Sequence, residues 1–201
     1  ARLFDYGFDT IIGQENEPVR CLQKLPVVKE FTTPKGEKVY DFGQNLTGWV
    51  EVEIYGEPGQ KLTLRHAESL DENGNFYTEN LSWAKATDTY ILSGGKQILH
   101  PHFTWHGFRY LCVEGLQYGQ NVQFTACHLS TDLQQTGHFT CSDARVNRLQ
   151  QNIQWSQRDN FLDIPTDCPQ RSERLGWTGD VTAFCPTAAF NENIMPFMTK
   201  W

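Results

Sequence analysis

The sequence predicts a mixed, mainly β chain: an antiparallel β-sandwich domain over residues 1–130, followed by a helical domain over residues 131–201. Two observations carry this reading. Before residue 130, short segments rich in aromatic and β-branched residues alternate with Gly-containing turns about every ten residues, as in a sandwich. From Ser142 onward the apolar period changes from two residues to about 3.6.

The elements follow in order. "TGWVEVEIYG" places Trp49 or Val50, Val52 and Ile54 on one face and Glu51 and Glu53 on the other, a half-buried strand. "EPGQ" turns the chain, and "KLTLRH" alternates again through Leu62 and Leu64. "ENGN" at Glu72 to Asn75 is a tight-turn signal. "DTYILSGG", "FRYLCVEG" and "VQFTACHL" supply further strands. Ser142 is the expected N-cap of a first helix that turns Val146, Leu149, Ile153 and Trp155 or Ser156 to one face. A second helix is expected from Gly179 or Asp180, broken or kinked at Pro186, and a third segment over "NENIMPFMTKW".

Composition excludes several classes of function. With 201 residues, 39% of them hydrophobic, the chain can bury one large core or two small ones. A net charge of −7 without a basic block argues against nucleic acid as a partner. No apolar run approaches the roughly 18 residues of a membrane span, so no membrane partner is expected. "ARLFDYGFDT" lacks the apolar core of a signal peptide. The six cysteines are scattered with no CxxC pair, which reads as reduced, mostly buried small apolar residues. Such cysteines point to a cytoplasmic compartment before a periplasmic or secreted one.

Two motifs are tempting and fail. In "HPHFTWH", His100, His102 and His106 have no acidic ligand at a telling distance, and core or hydrogen-bonded histidines account for them better. "DENGN" has its Gly at the fourth position of a calcium loop, where the sixth is needed, and Ser82 where the bidentate Glu belongs. No G-x-S-x-G, Walker or G-x-G-x-x-G sequence occurs. Neither a metal nor another cofactor is therefore expected.

The stretch "DCPQRSERLGWTGD", Asp167 to Asp180, is different. It concentrates Asp167, Arg171, Glu173, Arg174, Trp177 and Asp180. The bland reading is a salt-bridged loop in which Arg171 and Arg174 neutralise the acids. Against it, Trp177 offers a flat apolar face for sugar C–H groups, and Gly176 and Gly179 permit close backbone approach. Arg171 can hold a hydroxyl or carboxylate with a planar fork. Carboxylates, Arg and Trp together suit a polyhydroxylated ring, with one carboxylic acid to protonate a leaving oxygen.

This stretch closely resembles the signature of the bacterial α-L-rhamnosidases, the inverting glycoside hydrolases of family 78. "DFGQNLTGWV", "LRHAESL", "TENLSWAKATDTYILSGG" and "FTWHGFRY" are similar to that family's β-sandwich domain. "CSDARVNRLQQNIQWSQRDNFLDIPTDCPQR" is similar to the entry of its catalytic domain. The resemblance implies the first helices of an (α/α)6 barrel after the sandwich. It implies Glu173 as general acid and Asp167, Arg171, Trp177 and Asp180 as residues that bind rhamnose, with Arg174 structural. Family members carry a second acid just before the catalytic Glu. Ser172 stands there in this chain, which removes a negative charge and implies a lower pKa for Glu173.

An inverting hydrolase needs a second carboxylate across the ring to activate water. The resemblance puts it downstream of this chain, and Glu192, the one acid after Asp180, is expected to cap or solvate the third helix. The chain thus reads as a truncated enzyme segment, inactive alone. Its partners would be a rhamnose-containing glycoside or polysaccharide and the remainder of the catalytic domain. Uncovered apolar helix faces would lead to aggregation or a homodimer. The rival reading is a non-catalytic carbohydrate-binding or accessory module built on the β-sandwich.

Overall fold

The computed structural model describes residues 7–201; the first six residues of "ARLFDYGFDT" lie outside them. Among the described residues, twelve strands and three α-helices follow one another. The strands are β1 (Val19–Pro26), β2 (Lys29–Thr32), β3 (Lys38–Gly56), β4 (Lys61–Ala67), β5 (Ser69–Leu70), β6 (Phe76–Tyr77), β7 (Thr87–Ile91), β8 (Gly95–Leu99), β9 (His106–Glu114), β10 (Val122–Thr131), β11 (Phe161–Leu162) and β12 (Ile164–Pro165). The helices are α1 (Ala144–Asn160), α2 (Thr178–Asn191) and α3 (Met195–Lys200). Among the described residues no helix is long and apolar enough to cross a membrane.

Eight strands form one antiparallel sheet in the order β1-β10-β3-β9-β4-β7, with β2 and β8 also paired to β3. The two layers expected of a sandwich are therefore arms of a single curled sheet. The curl centres on β3, whose 19 residues serve both arms. Its first part pairs with β2 and β9, and its last part with β10 and β8. Between Asp41 and Leu46 the β9 register slips, and a strand bends where such an irregularity falls. Tyr40 and Phe124, from opposite ends of this arrangement, then meet with ring centroids 4.7 Å apart.

The alternation read from the sequence holds. Val50, Val52 and Ile54 are buried together with Leu62, Leu64, Leu111 and Phe124 in the main core. Glu51 and Glu53 stay at the surface and bind Lys24 and Lys96. The "DENGN" segment closes the small β5–β6 hairpin, with Asp71 Oδ1 accepting from the backbone N–H of Asn73 and Asn75.

The helices depart from expectation in three respects. Asp143, one residue after Ser142, caps α1 and accepts from the N–H of Arg145 at 2.8 Å. The apolar positions Val146 and Leu149 face outward, Leu149 being 57% exposed, while Gln157 and Asp159 are buried. The inner face of α1 is thus held by polar bonds as well as by Trp155, the one member of the expected apolar face that packs on the main core. The carboxylate of Asp159 accepts from the N–H of Thr47 at 2.8 Å, and the Thr47 hydroxyl donates to the Asp159 carbonyl at 2.8 Å. Finally, Pro186 lies inside an unbroken α2, which runs from Thr178 to Asn191.

Glu192 neither caps nor solvates α3. It is buried, and its carboxylate accepts from Arg158 Nε at 2.9 Å and Gln157 Nε2 at 3.1 Å. Asn191 adds a bond to Gln157 Oε1 at 2.8 Å, so the end of α2 is fastened to α1. The cysteines are all free, but only Cys112 and Cys127 are buried; Cys21 and Cys141 are exposed. The expectation of mostly buried thiols fails because β1 is an edge strand and Cys141 precedes α1 in a loop.

Candidate active site

The site begins where α1 ends. Asp163 adopts a positive φ of 68° between β11 and β12, a conformation Asp tolerates better than most side chains. This tight hairpin reverses the chain, and Thr166 N–H donates back to the Asn160 carbonyl at 2.8 Å. Phe161 anchors it by stacking on Phe197 with centroids 4.4 Å apart.

The segment from Asp167 to Trp177 then closes on itself. The N–H groups of Asp167 and Cys168 both donate to the Glu173 carbonyl at 3.1 Å. Trp177 N–H donates to the Pro165 carbonyl at 3.3 Å. Two glycines allow the loop to dock. A Cβ on Gly107, in β9, would meet Gln170 backbone and side-chain atoms at about 2.9 Å, and one on Gly176 would run into the Trp201 indole. The space beside Gly176 is thus filled by Trp201, while Gly179 faces open space.

The expected site residues fall into two adjoining groups. Asp167, Trp177 and Asp180 line one cleft of about 300 Å³ between α1 and α2, with Asn160, Thr166 and Phe184 completing its wall. Trp177 is 43% exposed, so its ring is available from solvent. Asp180 sits in the first turn of α2, where the helix dipole favours a carboxylate. Arg171 and Glu173 line a neighbouring shallow hollow with Ser82, Trp83 and Ser172.

Glu173 is an ion-paired carboxylate here. Arg171 Nε and Nη2 reach its Oε2 at 2.9 and 2.8 Å. Cys168 Sγ lies 2.8 Å from Asp167 Oδ2 and 3.5 Å from Glu173 Oε2, so one thiol bridges the two acids. The Arg171 hydrogen bond, then the thiol, hold the Glu173 pKa below its ordinary value. Ser172 is not among the causes of this lowering. Burial and the two acceptor carboxylates push the Cys168 thiol up to about 12, which keeps its proton in place.

Arg174 is partly buried. Its guanidinium donates to the Pro169 carbonyl and lies 4.9 Å above the Trp105 ring, and burial lowers its pKa. Among the described residues no carboxylate is within ion-pair distance of it.

Sequence reasoning missed three contributors. Cys168 was grouped with inert thiols, although it directly follows Asp167. Trp83 is 77% exposed beside Glu173, and an aromatic within the polar run "ENLSWAKAT" was the available signal. Glu68 comes from the bend between β4 and β5; Asn45 and Asn80 donate to it at 3.0 and 3.2 Å. Burial raises its pKa, while Arg171 is near enough to pull the other way.

Comparison with known proteins identifies the family. Residues 31–130 match the bacterial alpha-L-rhamnosidase concanavalin-like domain, and residues 134–201 match the bacterial alpha-L-rhamnosidase 6 hairpin glycosidase domain. An alpha-L-rhamnosidase of Streptomyces avermitilis is 44% identical over 196 residues, which are 96% of this chain and 19% of that protein. One from Formosa agariphila is 38% identical over 86% of this chain and 19% of its own length. In structure, the native α-L-rhamnosidase of Aspergillus terreus superposes with a TM-score of 0.94 at 41% identity, over 98% of this chain and 23% of that one. The Streptomyces avermitilis enzyme complexed with L-rhamnose gives 0.89 at 44% identity, over 95% and 19%. The chain spans about a fifth of the length of the relatives it matches. Through these two matched domains, the chain belongs to the bacterial α-L-rhamnosidase family.

Proposed function

We propose that this chain is the acid-bearing segment of an inverting glycoside hydrolase that removes terminal, non-reducing α-L-rhamnose from glycosides or polysaccharides. Residues 1–130 are its β-sandwich domain, and residues 131–201 open an (α/α)6 barrel. The observation that carries the reading is the joining of Asp167, Trp177 and Asp180 in one cleft, next to the Arg171–Glu173 pair. Trp177 stacks on one face of the sugar ring, and Asp167 and Asp180 accept from its hydroxyls. Glu173 protonates the departing glycosidic oxygen.

A general acid must carry its proton when the bond breaks. Glu173 without substrate is a carboxylate neutralised by Arg171. Sugar binding resolves this conflict if a ring hydroxyl draws Arg171 away and the sugar covers Glu173. Loss of the cation and loss of water both raise the carboxyl pKa. Arg171 is then a substrate ligand that also times the protonation of Glu173. The general base comes from residues outside this chain. Outward apolar positions of the helices, such as Leu149 and Phe190, pack against the rest of the barrel or, in the isolated segment, against a second copy.

A binding-only module is the second reading. It is favoured by the place of Glu173 in a hollow beside the cleft and not within it. The deciding experiment compares the full-length protein with its Glu173→Gln variant on an aryl α-L-rhamnoside, with rhamnose binding followed by calorimetry. Cleavage by the wild type, lost in the variant while rhamnose still binds, supports the hydrolase. Binding without cleavage by either protein replaces it with the module.

A further inference from the structure

We propose that His66, Asp88 and His106 form a binding site for a divalent first-row transition-metal ion such as Zn²⁺. The three residues come from β4, β7 and β9, neighbours in the sheet, and their ligand atoms lie within 4.8 Å of one another. "HPHFTWH" set His106 beside His100 and His102 in sequence. The fold separates them: His100 stacks on Trp49 at 5.2 Å, while His106 stacks on His66 at 4.1 Å.

The hydrogen bonds fix the chemistry of each ligand. His66 is fully buried, and its Nδ1 is 3.0 Å from the Ala86 carbonyl. A carbonyl only accepts, so Nδ1 carries the proton and Nε2 presents a lone pair. That lone pair has no hydrogen-bond partner, and the nearest ionic group is Asp88 Oδ2 at 3.9 Å. Two acceptors thus face each other in a dry site, an arrangement that costs free energy unless a cation lies between them. His106 Nε2 meets the other carboxylate oxygen, Asp88 Oδ1, at 3.0 Å. An entering metal ion would replace the proton on that nitrogen.

Two neutral imidazoles and a carboxylate suit a borderline ion, with metal–ligand bonds near 2.0–2.2 Å. Tetrahedral ligands at that length stand about 3.4 Å apart. The His106–Asp88 pair is already closer, and the 3.9 Å gap to His66 closes by a small turn of the carboxylate. The Ala86 carbonyl supplies the outer-shell partner that orients a metal-binding histidine. Burial keeps His66 unprotonated, with a pKa near 3. The fourth position has room, because Asp88 and His106 form part of the wall of a cleft of about 290 Å³ that also reaches Gln170, Arg171 and Ser172. An ion there would tie three strands together beneath the loop that carries Glu173. The trio Asp167, Cys168 and Glu173 is a poorer candidate, since its thiol holds its proton and Arg171 occupies Glu173.

The test uses the full-length protein, stripped with a chelator and reloaded with Zn²⁺ alone. Zinc content is read by mass spectrometry and affinity by competition with a chromophoric chelator. His106→Gln and Asp88→Asn keep a hydrogen bond between the two side chains, and melting of the metal-free variants verifies folding. The expected result is one zinc fewer per chain in each variant, or affinity lower by at least about 100-fold, with Cys168→Ser unchanged. Wild-type zinc content in both variants overturns the site. So does the absence of bound zinc in the wild type, or a loss that follows Cys168→Ser instead.

Discussion

Asp159 is the sharpest test of how the helices are fastened to the sheet. Its carboxylate is buried, accepts from Thr47 N–H at 2.8 Å, and lies 3.3 Å from His128 Nε2. In Asp159→Ala the Thr47 N–H loses its acceptor where water does not enter, which costs about 1–3 kcal/mol. Removing a buried charge offsets part of that, leaving a loss of about 2 kcal/mol. Asp159→Asn keeps an acceptor and discards the charge, so its cost stays within about 1 kcal/mol. The pH dependence has a definite sign. Burial raises the folded-state pKa above the ordinary 3.8. Between those two values the folded state holds a proton that the unfolded state has released, so stability falls as pH rises through that window and levels off above it. Asp159→Asn removes that slope. The assay is thermal unfolding of the full-length protein between pH 4 and 7. The Ala variant should melt lower than wild type at pH 7, and the Asn variant should melt close to wild type. If Asn destabilises as much as Ala, the charge itself holds the junction and the acceptor argument fails.

Three further outcomes follow from the same contacts. Glu192→Ala breaks a buried pair with Arg158 and strands Gln157, and should cost about 3 kcal/mol in a denaturation midpoint, with Glu192→Gln recovering about half. Arg171→Gln removes the leading cause of the lowered Glu173 pKa, so the alkaline limb of kcat/KM should move to higher pH; an unmoved limb would disconnect Arg171 from Glu173. The isolated 201-residue chain, with Leu149, Leu175 and Met195 exposed, should self-associate in light scattering, and a monodisperse monomer would contradict that.

The strands were legible where one face meets the core and the other meets water. Val50 to Ile54 and Leu62 to Leu64 alternate for that reason, and they fold as read. β1, β2 and β8 escaped notice because they are short or lie at an edge, so burial imposes little pattern on them. The α1 face was misassigned for a different reason. Period-based reading assumes that apolar residues point inward, and here Gln157 and Asp159 do so through hydrogen bonds. Glu192 failed likewise, since a buried carboxylate looks in sequence like a solvated one. At the candidate site, Asp167 to Asp180 was evident from composition because so many charges rarely share a short stretch. What it hid was three-dimensional: the division between cleft and hollow, the thiol bridge at Cys168, and the arrival of Trp83 and Glu68 from connections between strands.

The central claim is that Glu173 delivers a proton to the leaving oxygen. The most direct measurement is the hydrolysis rate of full-length wild type and Glu173→Gln on a series of aryl α-L-rhamnosides whose leaving groups differ in basicity. General acid catalysis contributes about 10²–10⁴-fold, and a good leaving group needs little of it. The variant should therefore lose about that factor on the most basic leaving group and progressively less on more acidic ones. An equal loss across the series, or none, would show that Glu173 is not the acid.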